Sequence, residues 1–289
     1  MDYVKNVYAI CTLCVLLSLS GCGITSILIN KEYRADTFAS RFGFKKESFK
    51  TTNFTLMTYQ RCTGRSETLC IYIEGDGSAW VTKSRLSRDP TPSNPMALQL
   101  AVVDLSDNVV YIARPGQFFG PNAGGCDSAY WSGRRFSPEV VDAVSRVIDI
   151  VKGRLGATQV QLVGYSGGGA LAVLLAAQRS DIVALRTVAG NLDPQSWCAY
   201  HQVSQLDGSM NPLNVAPQVA GVAQRHFVGS NDRIMPIFIA RSFVKKMGDK
   251  DDRRIIVVKG ASHHSGWYAQ WSKLLGEPIS DKPLLNAIR

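Results

Sequence analysis

"QLVGYSGGGA", residues 161–170, decides how the rest of the chain is read. The stretch "QVQLVGYS" has the short, Val/Leu-rich character of a buried strand, and "GGALAVLLAAQR" directly after it that of a buried helix. At their junction Gly164-Tyr165-Ser166-Gly167-Gly168 spells G-x-S-x-G. Between a strand and a helix this pentapeptide makes a turn so tight that the serine backbone is strained and its hydroxyl projects from the sheet edge. Side chains two residues to either side would collide, which accounts for Gly164 and Gly168. The amide of Gly167 and the helix N-terminus then face an oxygen that turns negative during acyl transfer. Glycine-rich strand-to-helix turns also serve phosphates and packing, so the motif needs partners elsewhere in the chain.

On either side of the motif, strand-like and helical segments alternate. "LCIYIEG" and "NVVYIARPG" read as buried strands before it, and "IVALRTVAG", "RHFVGS" and "RIIVVKG" as strands after it. "NPMALQLAVVDL", "SPEVVDAVSRVIDIVKGRLG" (Ser137 at the N-cap, Pro138 at N1), "PIFIARSFVKKM" and "GWYAQWSKLL" read as helices. Such alternation predicts an α/β fold, a mostly parallel central sheet with helices on both faces. The polar, Pro/Asn-rich stretch 191–222 reads as a small cap. "SFKTTNFTLMTYQ" is β-like, and "RADTFASRFGF" before it a small helix.

A serine becomes a useful nucleophile only with a base and an acid that orients the base. In one established order of such triads the serine comes first, the acid second and the histidine last. "VGSNDRIMP" places Asp232 in the loop beyond a strand end, and "VVKGASHHSGW" places His263 and His264 in the loop beyond the last strand. Gly260 to His263 makes a short Gly-x-x-His return, so His263 is favoured as the base; His264 would point along the loop, to cap, pack or touch substrate. Of the other histidines, His226 begins a strand and His201 lies in the presumed cap. The histidine pair lacks a matching carboxylate or cysteine cluster, so no metal is expected.

With "YIEGDGSAW", "DPTPSNP", "ARPGQ", "VGYSGGGALA", "VAGNLDP", "FVGSNDRIMP" and "GASHHSGWYAQW", the chain resembles an α/β-hydrolase superfamily lipoprotein of the bacterial envelope over residues 45 to 275. The resemblance implies the α/β-hydrolase fold, no cofactor, Ser166 as nucleophile, Asp232 as orienting acid and His263 as base. "EGDG" stands where many lipases and esterases carry a His-Gly oxyanion motif, so the backbone N–H of Asp76 or Gly77 is expected to join that of Gly167 as oxyanion donor. Glu74 departs from that pattern. Glu74 and Asp76 are either turned away and hydrogen-bonded or favour a cationic substrate; Arg114 is a candidate partner for one of them. The expected reaction is hydrolysis of a small-molecule or lipid carboxylic ester through an acyl-enzyme. An amide or peptide hydrolase and a non-catalytic binding lipoprotein are the alternatives.

The N-terminus carries the envelope part of the resemblance. Lys5, the apolar "VYAICTLCVLLSLS" and "LSGC" resemble a lipoprotein leader over 1–21 with Cys22 as the lipidated residue, followed by a tether to residue 44 and the hydrolase domain over 45–289. With Gly23 rather than aspartate after the cysteine, the expected place in a Gram-negative cell is the outer membrane, facing the periplasm. Four cysteines would remain, and an oxidising compartment favours two disulfides. Of three connectivities, the expected one pairs Cys62 with Cys70 across "TGRSETL" and leaves Cys126 with Cys198. The net charge of +9 is scattered over the chain, so no nucleic acid is expected as a partner. The sequence leaves the oligomeric state open.

Overall fold

The computed structural model describes residues 31–279 apart from Lys83 and Pro121. The expected leader, Cys22 and the first part of the tether lie outside the described residues. Ten strands are found among the described residues: β1 (Lys45–Lys50), β2 (Thr55–Cys62), β3 (Thr68–Ile73), β4 (Trp80–Thr82), β5 (Arg85–Leu86), β6 (Asn108–Ile112), β7 (Gln159–Tyr165), β8 (Ile182–Val188), β9 (Gln224–Gly229) and β10 (Ile255–Val258). Seven α-helices accompany them: α1 (Lys31–Arg41), α2 (Met96–Val103), α3 (Pro138–Leu155), α4 (Gly167–Gln178), α5 (Pro194–His201), α6 (Ile237–Lys246) and α7 (Trp271–Leu275).

Eight of the strands form one sheet in the order β1-β2-β6-β3-β7-β8-β9-β10, in which β2 alone runs against the others. The central strands are apolar on both faces because helices cover both: Leu69, Ile71, Tyr72 and Ile73 of β3 and Val109 to Ile112 of β6 are wholly buried. Helix α3 shows how its face is chosen. Val140, Val141, Val144, Val147, Ile148 and Val151 recur at helical spacing and are buried, and Gly156 ends the helix in a left-handed conformation at φ 65°. Ser137 stands at its N-cap, but its side chain makes no capping hydrogen bond. Helix α1 docks on the β1–β2 hairpin through buried Ala35 and Ala39 and through Asp36, which accepts from Lys46 and from the Tyr59 hydroxyl.

The chain steps from β3 to β6 in one direction and from β6 back across β3 to β7 in the other. Right-handed crossovers then put α2 on one face, where it packs with α7, and α3 and α4 on the other. The loops leaving β3 and β7 therefore diverge, which opens a crevice at the carboxyl ends of these strands. The small β4–β5 hairpin rises beside that crevice. Within 191–222, α5 contributes Trp197 to the crevice wall, while the 3-10 segment Pro212–Val219 packs on α4 and α6. Among the described residues no helix is long and apolar enough to cross a membrane.

The expected disulfides Cys62–Cys70 and Cys126–Cys198 are not formed: all four residues are free thiols. "TGRSETL" does not join neighbouring strands, because β6 runs between β2 and β3, setting Asn108 beside Cys62 and Val109 beside Cys70. Two inter-strand steps of about 4.8 Å put the pair beyond the roughly 7 Å that a bridge spans. Cys126 is half-buried beside Ala79 and Trp131, and Cys198 is fully buried on α5. Burial pushes the thiols of Cys70 and Cys126 up to about 11, so both stay protonated and unreactive.

Candidate active site

Ser166 sits between β7 and α4 at φ 51° and ψ −119°, a conformation that side chains other than glycine rarely adopt. Its amide donates to the Val188 carbonyl at 2.9 Å, and its own carbonyl accepts from the amides of Gly169 and Asn191, so the turn is held from both sides. A Cβ at Gly164 would come within 2.2 Å of the Gly168 carbonyl oxygen, and one at Gly168 within 2.2 Å of that of Ile73. The two outer glycines of the motif are thus a packing requirement.

The loop after β10 returns over this turn. His263 Nε2 lies 3.1 Å from Ser166 Oγ, and His263 Nδ1 lies 2.9 Å from Asp232 Oδ2. All three side chains are buried, with residue exposures of 8% for Ser166, 7% for Asp232 and 6% for His263. Asp232 is held in turn, since its Oδ1 accepts from the amides of Ile234 at 2.9 Å and Met235 at 2.8 Å. Trp197 and His201 of α5 both bond the Ile234 carbonyl at 2.9 Å, so this helix steadies the turn that carries the acid. The Tyr165 hydroxyl and the Trp267 indole donate to the His263 carbonyl at 2.9 and 3.2 Å.

The structure separates the two adjacent histidines. His264 is exposed, stands edge-on to His263 at 4.8 Å and meets the Tyr165 hydroxyl through Nδ1 at 3.2 Å. Partial loss of water around its ring, then repulsion from His263, hold it below the usual histidine range. His226 is a core residue: it bonds Thr187 and Gln224, and burial pushes it down to about 3.

Across the crevice lies the loop after β3. The Gly75 amide is taken by Glu74 Oε1 at 2.9 Å and the Ser78 amide by the Pro90 carbonyl at 2.9 Å. The amides of Asp76, Gly77 and Gly167 have no acceptor among the described residues. Gly77 has φ 63°, and a Cβ there would come within 2.2 Å of the Pro90 carbonyl. Gly167 has its own constraint, since a Cβ would lie 2.1 Å from Asp76 Oδ1.

Two carboxylates of this loop meet opposite fates. Glu74 is 1% exposed, and burial pushes its carboxyl up to about 7 against the opposing pull of the Gly75 and Ala97 amides. Asp76 bridges two guanidiniums, with Arg114 Nη1 at 3.2 Å from Oδ1 and Arg135 Nη1 at 2.6 Å from Oδ2. Burial raises the Asp76 carboxyl, but Arg135 and Arg114 outweigh it and hold the group below the usual carboxylate range. Arg114 was identifiable in the sequence as a partner for this loop; Arg135 was not, because "SGRRFSP" carries no motif and lies 59 residues from Asp76.

These groups surround a cavity of about 460 Å³. Ser166, Tyr165 and His263 line it together with Asp76, Arg135 and Asn94 on the polar side. Trp80, Trp197, Ile234 and Met235 make the apolar side. Among the described residues no group of three or more His, Cys, Asp or Glu is placed to hold a metal ion.

No family model and no curated protein matches the chain. Solved structures do. An esterase of Pyrococcus furiosus aligns with a TM-score of 0.56 at 12% identity, covering 82% of this chain and 93% of the esterase. An α/β serine hydrolase homologue from Coxiella burnetii gives 0.50 at 16%, covering 80% and 93%. A puromycin-hydrolysing peptidase of Mycobacterium tuberculosis gives 0.54 at 15%, over 81% of this chain but 39% of the peptidase, so the chain spans about two fifths of that protein. The chain has the α/β-hydrolase fold.

Proposed function

We propose that the protein is a serine hydrolase that cleaves a carboxylic ester through an acyl-enzyme. The observation that carries this reading is the continuous Asp232–His263–Ser166 relay, with contacts of 2.9 and 3.1 Å, facing unpartnered backbone amides. Ser166 Oγ attacks the acyl carbon while its proton passes to His263 Nε2, and Asp232 stabilises the resulting imidazolium. The amides of Gly167 and of Asp76 or Gly77 stabilise the tetrahedral oxyanion. The departing alcohol takes the proton from His263. Water, deprotonated by the same imidazole, then attacks the acyl-enzyme and releases the carboxylic acid with Ser166 restored. An amide or a cationic substrate would draw support from an acidic oxyanion loop, but the charge of Asp76 is engaged by Arg114 and Arg135.

The test is labelling by a fluorophosphonate together with hydrolysis of short-chain 4-nitrophenyl esters. Labelling on Ser166 with ester turnover is expected; an unlabelled, inert protein overturns the reading. The "LSGC" stretch supports lipid anchoring at Cys22 in the cell envelope. Cys22→Ser is expected to abolish partition into the membrane fraction, and unchanged partition with no lipid adduct on the unaltered protein would refute the anchor.

A further inference from the structure

Arg114 and Arg135 are 3% and 5% exposed and share one carboxylate, so the trio they form with Asp76 holds a net positive charge beside the cavity. Arg114 donates from Nη1 to Asp76 and from Nη2 to the Arg135 carbonyl. Arg135 differs, because it lines the cavity itself. Its Nε donates to the Ser132 carbonyl at 2.7 Å and its Nη1 to Asp76, but Nη2 has no acceptor among the described residues and is not among their buried unpartnered atoms. That nitrogen is left for the cavity. A guanidinium nitrogen that reaches a cavity from an almost wholly buried side chain has little room for water and gains most from a charged acceptor with which to form a short, charge-assisted bond. The other carboxyl in the lining is Glu74, whose Oε1 is turned onto the Gly75 and Ala97 amides. The Asp76 carboxylate lies against Gly167, next to Ser166, so the arginine stands on the oxyanion-loop side of the nucleophile.

Resting on the ester-hydrolase reading above, we propose that the substrate is an anionic ester, one bearing a carboxylate that Arg135 Nη2 binds while Ser166 attacks the ester carbonyl. The carboxylate can sit on the acyl chain, as in a half-ester of a dicarboxylic acid, or on the leaving group. Two pairs of probes separate these sources. Mono-4-nitrophenyl glutarate against 4-nitrophenyl pentanoate reads the acyl side, and 3-acetoxybenzoate against phenyl acetate reads the leaving group. In one pair the anionic member is expected to have a kcat/KM at least about tenfold higher, the worth of one hydrogen bond to a charged group. Arg135→Gln should collapse that ratio towards one, and Arg135→Lys should keep part of it. Equal rates within both pairs, or an Arg135→Gln variant that slows both members alike, would overturn the proposal. If Arg135→Gln does not fold, protection of the unaltered protein decides: glutarate should slow fluorophosphonate labelling of Ser166 and glutaramide should not, and equal protection overturns it. Failure of the ester-hydrolase reading itself looks different, since no member of either pair would then be turned over.

Discussion

The two walls of the crevice at Ser166 both bury ionisable side chains, and they use them in opposite ways. On the β7–β10 side, Asp232, His263 and Ser166 form a line of hydrogen bonds. On the β3 side, Asp76 is clamped between two guanidiniums and Glu74 is sunk among backbone amides. One wall links its ionisable groups to one another and to the serine, and the other ties its two carboxyls separately, Asp76 to arginines and Glu74 to backbone amides. A buried ion pair is costly to leave half-made, which makes the second wall the more sensitive to loss of a partner.

The largest effects are expected on the wall that carries Ser166 and His263. Ser166→Ala should lower ester turnover by roughly a thousandfold to a millionfold without unfolding, as triad removal does elsewhere. His263→Ala should fall almost as far, whereas His264→Ala should keep substantial activity, because only His263 reaches both Ser166 and Asp232. Steady-state rates with circular dichroism check both; the reverse pattern would move the base to His264.

Next comes the clamped carboxylate. Asp76→Asn leaves Arg114 and Arg135 buried without a counter-charge and should cost about 3–5 kcal/mol in denaturant unfolding. The Asp76 carboxyl is lower in the folded protein than in the unfolded chain, so its contribution is complete above about pH 4 and is lost as the pH falls through the folded value. A variant as stable as the parent at neutral pH would show that the ion pairs carry no net weight.

Glu74 gives the opposite sign and a smaller effect. Its carboxyl stands at about 7 in the folded protein, above its value of about 4.3 in an unfolded chain. The folded state therefore favours the protonated form, and the parent loses stability as the pH rises between those two values. Glu74→Gln removes the titration, so its stability relative to the parent should climb by about 3 kcal/mol from pH 4 to pH 8. A difference that stays flat across that range would rule out a raised Glu74.

The smallest effect belongs to the cysteines. The unfolded, unreduced domain should alkylate at Cys62, Cys70, Cys126 and Cys198, and a reducing agent should leave Tm unchanged. Thiols protected until reduction would restore the bridges.

Local chemistry made much of this legible in the chain. The apolar runs of β3, β6 and β7, the periodic valines of α3 and the glycines around Ser166 each encode their element through near neighbours. Ser166, Asp232 and His263 follow in chain order because each rides on a loop at the same end of a parallel sheet, so their order along the sequence becomes proximity in space. Three matters depended on the tertiary structure. The separation of Cys62 from Cys70 rests on β6 entering between their strands, a pairing that no local spacing announces. The choice between His263 and His264 rests on which ring the loop after β10 turns inward. The partnership of Asp76 with Arg135 joins residues 59 apart through burial and charge, and those forces depend on distance in space rather than on any period along the chain.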